Sequence, residues 1–176
     1  MGASVEDAIR LQKFRLLSFI AQKLESGNIE LAHEALNGVE YYANEAITWF
    51  EALNEVSKSK LSQLHAKLKE IKKKVNHWRQ ILNDIWENRE KLGQVINELS
   101  EESGSLSGFS EQINSLRNEI AAKVKESREG ERTELVKELK RLYNLKERIE
   151  WLKASLGIAK HRFEVIKEEI RAKKGR

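Results

Sequence analysis

Proline and cysteine are both missing from this chain of 176 residues. Proline marks turns and breaks helices, because its ring removes a backbone donor and clashes with the preceding turn. A chain without it has few enforced stops, and long helices can run on. Without cysteine there are no disulfides, no thiolate metal sites and no thiol nucleophiles. No apolar run reaches the roughly 18 residues that a membrane span needs. The first residues lack the basic-then-apolar order of a secretory signal. Met1-Gly2 starts like a myristoylation site, but Glu6 stands where that motif wants Ser or Thr. The expectation is a soluble, intracellular protein.

Charge and helix formers fill the space. Charged residues make up 34% of the chain, with a net charge of +4. Ala, Glu, Lys, Leu and Arg dominate, and all favour helix. The expected class is all-α.

The spacing of apolar residues predicts three helical stretches. The first covers 4–25, with Ser4 as N-cap and Ser26-Gly27-Asn28 as its stop. The second covers 29–103, about 110 Å if unbroken, with room for a bend near 57–60. The third covers 109–173, with room for a break near 126–133 around Gly130. Between the last two, Gly104-Ser105-Leu106-Ser107-Gly108 carries the strongest loop signal in the chain.

Two heptad stripes carry the architecture. In the second stretch, steps of seven pass through Leu36, Ala43, Phe50, Ser57, Leu64, Ile71, Trp78, Ile85, Leu92 and Leu99. In the third, they pass through Leu135, Leu142, Ile149, Leu156, Phe163 and Ile170. Both suit the buried seam of a coiled coil. Folding the chain at the 104–108 loop pairs Leu99 with Ile113, Leu92 with Ile120, Ile71 with Leu142, Leu64 with Ile149 and Phe50 with Phe163. The predicted shape is an elongated antiparallel coiled-coil hairpin, one domain over 1–176. The first helix folds back at Gly27 to make a three-helix base, through Ile9, Phe14, Leu17, Ile20 and neighbouring apolar residues.

Residues for chemistry are sparse. Glu30-x-x-His33 has the spacing of a carboxylate di-iron ligand pair, but no second copy exists. His33-Glu34 opens like a zinc-protease motif, yet position 37 is Asn. His65, His77 and His161 have no Glu three residues before them. No strand precedes a glycine-rich phosphate loop. The sequence therefore predicts no enzyme, no cofactor, no metal and no small-molecule substrate.

Two surface features stand out instead. Trp49, Trp86 and Trp151 flank the stripes, and with Phe14 and Leu17 they are the candidate partner contacts, since tryptophans anchor interfaces. From Lys58 to Lys74 there are seven lysines against the single acid Glu70. The hairpin register would set them beside Lys137, Lys140, Arg141, Lys146 and Arg148. The candidate basic belt is Lys67, Lys69, Lys72, Lys73, Lys74, Lys137, Lys140 and Arg141. The expected function is that of a structural or adaptor protein that self-associates, as a homo-oligomer, or binds a helical protein partner. The alternative is a rod that uses the belt to bind nucleic acid or an acidic membrane surface.

Overall fold

The computed structural model describes residues 26–174. The first predicted helix, 4–25, and with it the three-helix base, lies outside the described residues. Five helices make up the described chain: α1 (Ser26–Glu51), α2 (Glu55–Lys60), α3 (Ser62–Asn83), α4 (Leu92–Glu126) and α5 (Glu129–Lys174). A 3₁₀ turn, Arg89–Lys91, precedes α4. The all-α class read from composition is what the chain adopts.

Side-chain contacts fix the arrangement. Arg79 of α3 meets Glu40 and Asn37 in the middle of α1, whereas His65, earlier in α3, stacks on Phe50 at the end of α1. These two helices are therefore antiparallel. Lys60 reaches Glu119 and Lys74 reaches Glu102, so α4 runs back against α3. Ser110 bonds Glu150, and Arg117 lies over the Tyr143 ring, so α5 reverses again. Asn28 with Glu169, and Tyr42 with Trp151, close the ring by joining α1 to α5. The result is an up-down-up-down four-helix bundle. One continuous core runs down its axis, with Leu36, Leu64, Trp78, Leu99, Leu106 and Phe163 all fully buried.

Two long antiparallel helices do form a hairpin, but it folds elsewhere than the sequence suggests. The 104–108 segment lies in the middle of α4. Leu106, fully buried, continues the steps of seven from Leu92 and Leu99 to Ile113 and Ile120. Its burial outweighs the cost of two exposed glycines, about 1 kcal/mol each. Leu99 and Ile113 therefore share one helix, about 21 Å apart along its axis. The reversal falls at Ser127-Arg128, within the stretch 126–133. Here Ser127 leaves helical geometry with ψ near 158°.

The second stretch, expected as one helix over 29–103 with room for a bend near 57–60, is interrupted three times, at 52–54, at Leu61 and at 84–91. The chain turns at Ala52–Asn54, where the Asn54 side chain accepts the Ser57 N–H at 2.9 Å. Asn54's own N–H donates to the buried carboxylate of Glu138 at 3.0 Å. It turns again at 84–91, where the Asn88 side chain donates to the Asp84 carbonyl. Ile85 and Leu92 remain buried through this turn, which is why the heptad showed no gap. The expected pairs Leu64–Ile149 and Ile71–Leu142 fall on α3 and α5, which sit diagonally across the ring. Phe50 and Phe163 lie at different levels of α1 and α5. Beyond Asn54 only α4 and α5 continue, so their hairpin projects from the bundle by about 15 Å.

Candidate functional site

The face shared by α1 and α5 carries the largest group of exposed apolar side chains. Trp151 is 52% exposed and Ile158 53% exposed. They stand seven residues apart on α5 and so point the same way. On α1, Tyr41 is 57% and Leu31 37% exposed. Tyr42 bridges the helices: its ring stacks on Trp151 at 5.6 Å and meets Tyr41 edge-on at 5.0 Å. Next along the groove, Arg148 lies 5.4 Å from the Trp49 ring centre and 3.9 Å from Glu45. That places a cation against an indole face and an acid, with its charge already matched.

The floor of this face is tight. Gly38 of α1 meets Ser155 of α5, and a Cβ at position 38 would come within 3.3 Å of the serine hydroxyl. The close approach draws the two backbones together beneath the aromatic rings. It leaves Tyr41, Trp151 and Ile158 exposed along one seam, with Tyr42 and Trp151 stacked across it.

Three of the five predicted partner contacts are described. Trp49 and Trp151 belong to this one face. Trp86 does not: it is half-buried in the turn between α3 and α4, with Arg89 over its ring at 5.9 Å. Phe14 and Leu17 lie outside the described residues. Sequence reasoning missed Tyr41, Tyr42 and Ile158. The step of seven from Trp151 to Ile158 was the signal available for the last.

No known protein family, curated protein or solved structure matches the chain. The surface itself must supply the functional argument.

The predicted belt does not assemble. Lys67 and Lys74 turn inward, and each holds the same oxygen of Glu102 at 3.2 Å. Glu102, on α4, is only 3% exposed. Burial works against the charge on both lysines, but their bonds to Glu102 and Glu70 prevail and raise their pKa values. Glu70 is held below the usual carboxylate range, first by its hydrogen bond to Lys67. Lys69, Lys72 and Lys73 remain exposed on α3. Lys137, Lys140 and Arg141 are on α5, which is not a ring neighbour of α3. Arg141 is bound to Glu138 at 3.0 Å and Lys137 to Glu134 at 3.5 Å. The register that would have joined the two basic segments depended on the 104–108 bend.

The histidines are dispersed as well. His33 sits half-buried on α1, where burial and then the charge of Arg79 lower its pKa. His65 stacks on Phe50 at 4.6 Å. Among the described residues, no group of three or more His, Asp or Glu could hold a metal ion. Nor, among them, is any helix long and apolar enough to cross a membrane.

Proposed function

We propose that this chain is a non-enzymatic structural or adaptor module whose α1–α5 face receives an amphipathic helix, from a protein partner or from a second copy. The observation that carries this reading is the run of Tyr41, Tyr42, Trp151 and Ile158 over the close Gly38–Ser155 contact. Exposed aromatics grouped on one face are the composition of interface anchors, and they are costly to leave in water. Apolar side chains spread along the seam of two adjacent helices suit a third helix laid over it, with side chains repeating every three to four residues.

Trp151→Glu in the full chain is the direct test. Loss of an anchoring tryptophan should weaken association by about 2 kcal/mol or more, roughly thirtyfold in Kd. The thermal midpoint should stay within a few degrees, because the side chain is half-exposed already. Sedimentation velocity with light scattering, from low to high micromolar, reads the first effect. A chain that is monomeric throughout, and whose behaviour Trp151→Glu leaves unchanged with every candidate helix, sinks the proposal.

A further inference from the structure

We infer that the α4–α5 hairpin carries an anion site between Arg117 and Lys140, suited to the dianionic phosphate of a monoester. It is separate from the α1–α5 face and stands or falls without it.

Arg117 of α4 and Val136, Leu139, Lys140, Tyr143 and Asn144 of α5 line a cleft of about 330 Å³. Ligand sites run from about 300 to 1,000 Å³, so this one suits a small group. Arg117 lies over the Tyr143 ring, 5.2 Å from its centre, and Tyr143 is itself 50% exposed. A cation–π contact of this kind fixes where a guanidinium stands and leaves its charge unneutralised.

Charge without an answer marks the cleft. Among the described residues, neither Arg117 nor Lys140 enters an ion pair, and the buried Nε of Arg117 has no hydrogen-bond partner. The acids nearest to them in sequence are engaged elsewhere. Glu119, two residues from Arg117, holds Lys60 at 3.0 Å. Glu138, two residues before Lys140, accepts the Asn54 N–H and binds Arg141. Glu147 stands seven residues beyond Lys140, about 10 Å along the helix axis.

The polar groups at the cleft are mainly donors. The guanidinium offers a planar fork that matches an oxyanion, and the ammonium offers a point charge. Asn144 Oδ1 already accepts from Arg148 at 3.4 Å, which leaves its amide N–H groups to give. Tyr143 adds a hydroxyl. Two positive charges match a dianion, and a phosphomonoester carries about −1.5 to −2 with three oxygens free to accept. Val136 and Leu139 supply an apolar wall for the carbon side of the ester. A nucleic-acid strand presents a row of singly charged diesters and needs a row of cations. Here the neighbouring Lys137 and Arg141 are already bound to Glu134 and Glu138, so the cleft holds one free pair.

Titration of the full chain with methyl phosphate, read by calorimetry, is the test. The expected result is saturable binding at one site per chain, weakened severalfold when salt is raised from about 0.01 M to 0.15 M. Arg117→Gln and Lys140→Gln should each weaken it by about tenfold or more. Lys69→Gln, which removes an exposed cation of α3, should leave it unchanged. Lys140 is exposed too, so its variant keeps the test open if Arg117→Gln disturbs the fold. No saturable binding in the millimolar range overturns the inference, and so does equal weakening by all three variants.

Dimethyl phosphate, the singly charged diester, is the second arm and should bind at least tenfold more weakly, because it halves the charge and blocks an oxygen. Equal affinity for the two esters overturns the assignment to a monoester. A phosphoserine peptide and glycerol phosphate then separate the sources. Tighter binding of the peptide supports a phosphate borne by a protein, and tighter binding of glycerol phosphate supports one borne by a small molecule.

Discussion

Glu102 offers a test in which charge and packing predict opposite signs. Its side chain is buried in the face α4 turns to α3, close to the buried Leu99 and Leu106. One carboxylate oxygen receives both Lys67 and Lys74, while the other is buried with no protein partner among the described residues. Taking a carboxylate out of water costs several kcal/mol, and a half-satisfied one recovers only part of that through its ion pairs. Each lysine keeps about a quarter of its side chain in solvent, at 22% and 26%, and both also hold Glu70. Replacing Glu102 by Leu therefore strands neither lysine. It removes the desolvation cost and extends the apolar seam. We expect Glu102→Leu to be neutral or to stabilise by about 1–4 kcal/mol. The converse change, Lys67→Met with Lys74→Met, leaves the buried carboxylate alone and should cost about 3–5 kcal/mol. At this chain length each kcal/mol moves the thermal midpoint by about 2–4 °C. Calorimetry on the two variants thus expects a rise or no change for one and a fall of roughly 10 °C for the other. If Glu102→Leu lowered the midpoint by more than about 5 °C, the pairing would be a net stabiliser and the argument from desolvation would be wrong.

Further expectations rest on separate parts of the bundle. Gly104→Ala and Gly108→Ala should each stabilise by roughly 0.5–1 kcal/mol, because both sites are inside α4 with open space around them; destabilisation in urea melts would restore the loop. Glu138→Ala should cost about 1–2 kcal/mol, since it removes the buried carboxylate that accepts the part-buried Asn54 N–H and pairs with Arg141; a wild-type denaturation midpoint would argue against the clip. His33, its pKa lowered by burial and Arg79, favours the neutral form in the fold, so its contribution is full above pH 6.5 and declines as pH falls below that toward the lower folded value. Glu70 is lowered too, chiefly through Lys67, so its contribution is present above about pH 4.5 and declines below it. Stability measured from pH 8 to pH 4 should fall first through the histidine step, and His33→Gln should remove that step alone.

The sequence made the helical class and the stripes legible, but not the places where the chain turns back. Leu64, Ile71, Trp78, Leu142, Ile149 and Phe163 were read as core and are core. A heptad stripe records which side of a helix is buried, and it records neither the partner nor the number of partners. Two helices zipped into a rod and four helices closed into a ring demand nearly the same periodicity. What tells them apart is the turn chemistry. Glycine at 104 and 108 was the loop signal in the sequence, whereas the fold reverses around Asn54 and Asn88 and again at Ser127-Arg128. An asparagine side chain can bond its own backbone and hold a turn actively, as Asn54 does with Ser57 and Asn88 with Asp84. Glycine merely permits one.

The same distinction explains what happened to the functional candidates. Trp49 and Trp151 came from opposite ends of the sequence, and only closure of α1 against α5 puts them on one face. The lysines were visible as a run, but a run does not reveal the acid facing it. Glu102 lies 28 residues from Lys74 and 35 from Lys67, in a segment the hairpin register sent elsewhere. Once α3 is laid against α4, two of the belt's lysines become part of the core's polar lining. The charge argument for nucleic acid or membrane weakens at its source. The aromatic argument gains, because the four-helix ring buries most of the apolar side chains yet leaves Tyr41, Trp151 and Ile158 in water on one side. A two-stranded rod would have exposed apolar residues along its length, and no single face of it would have stood out.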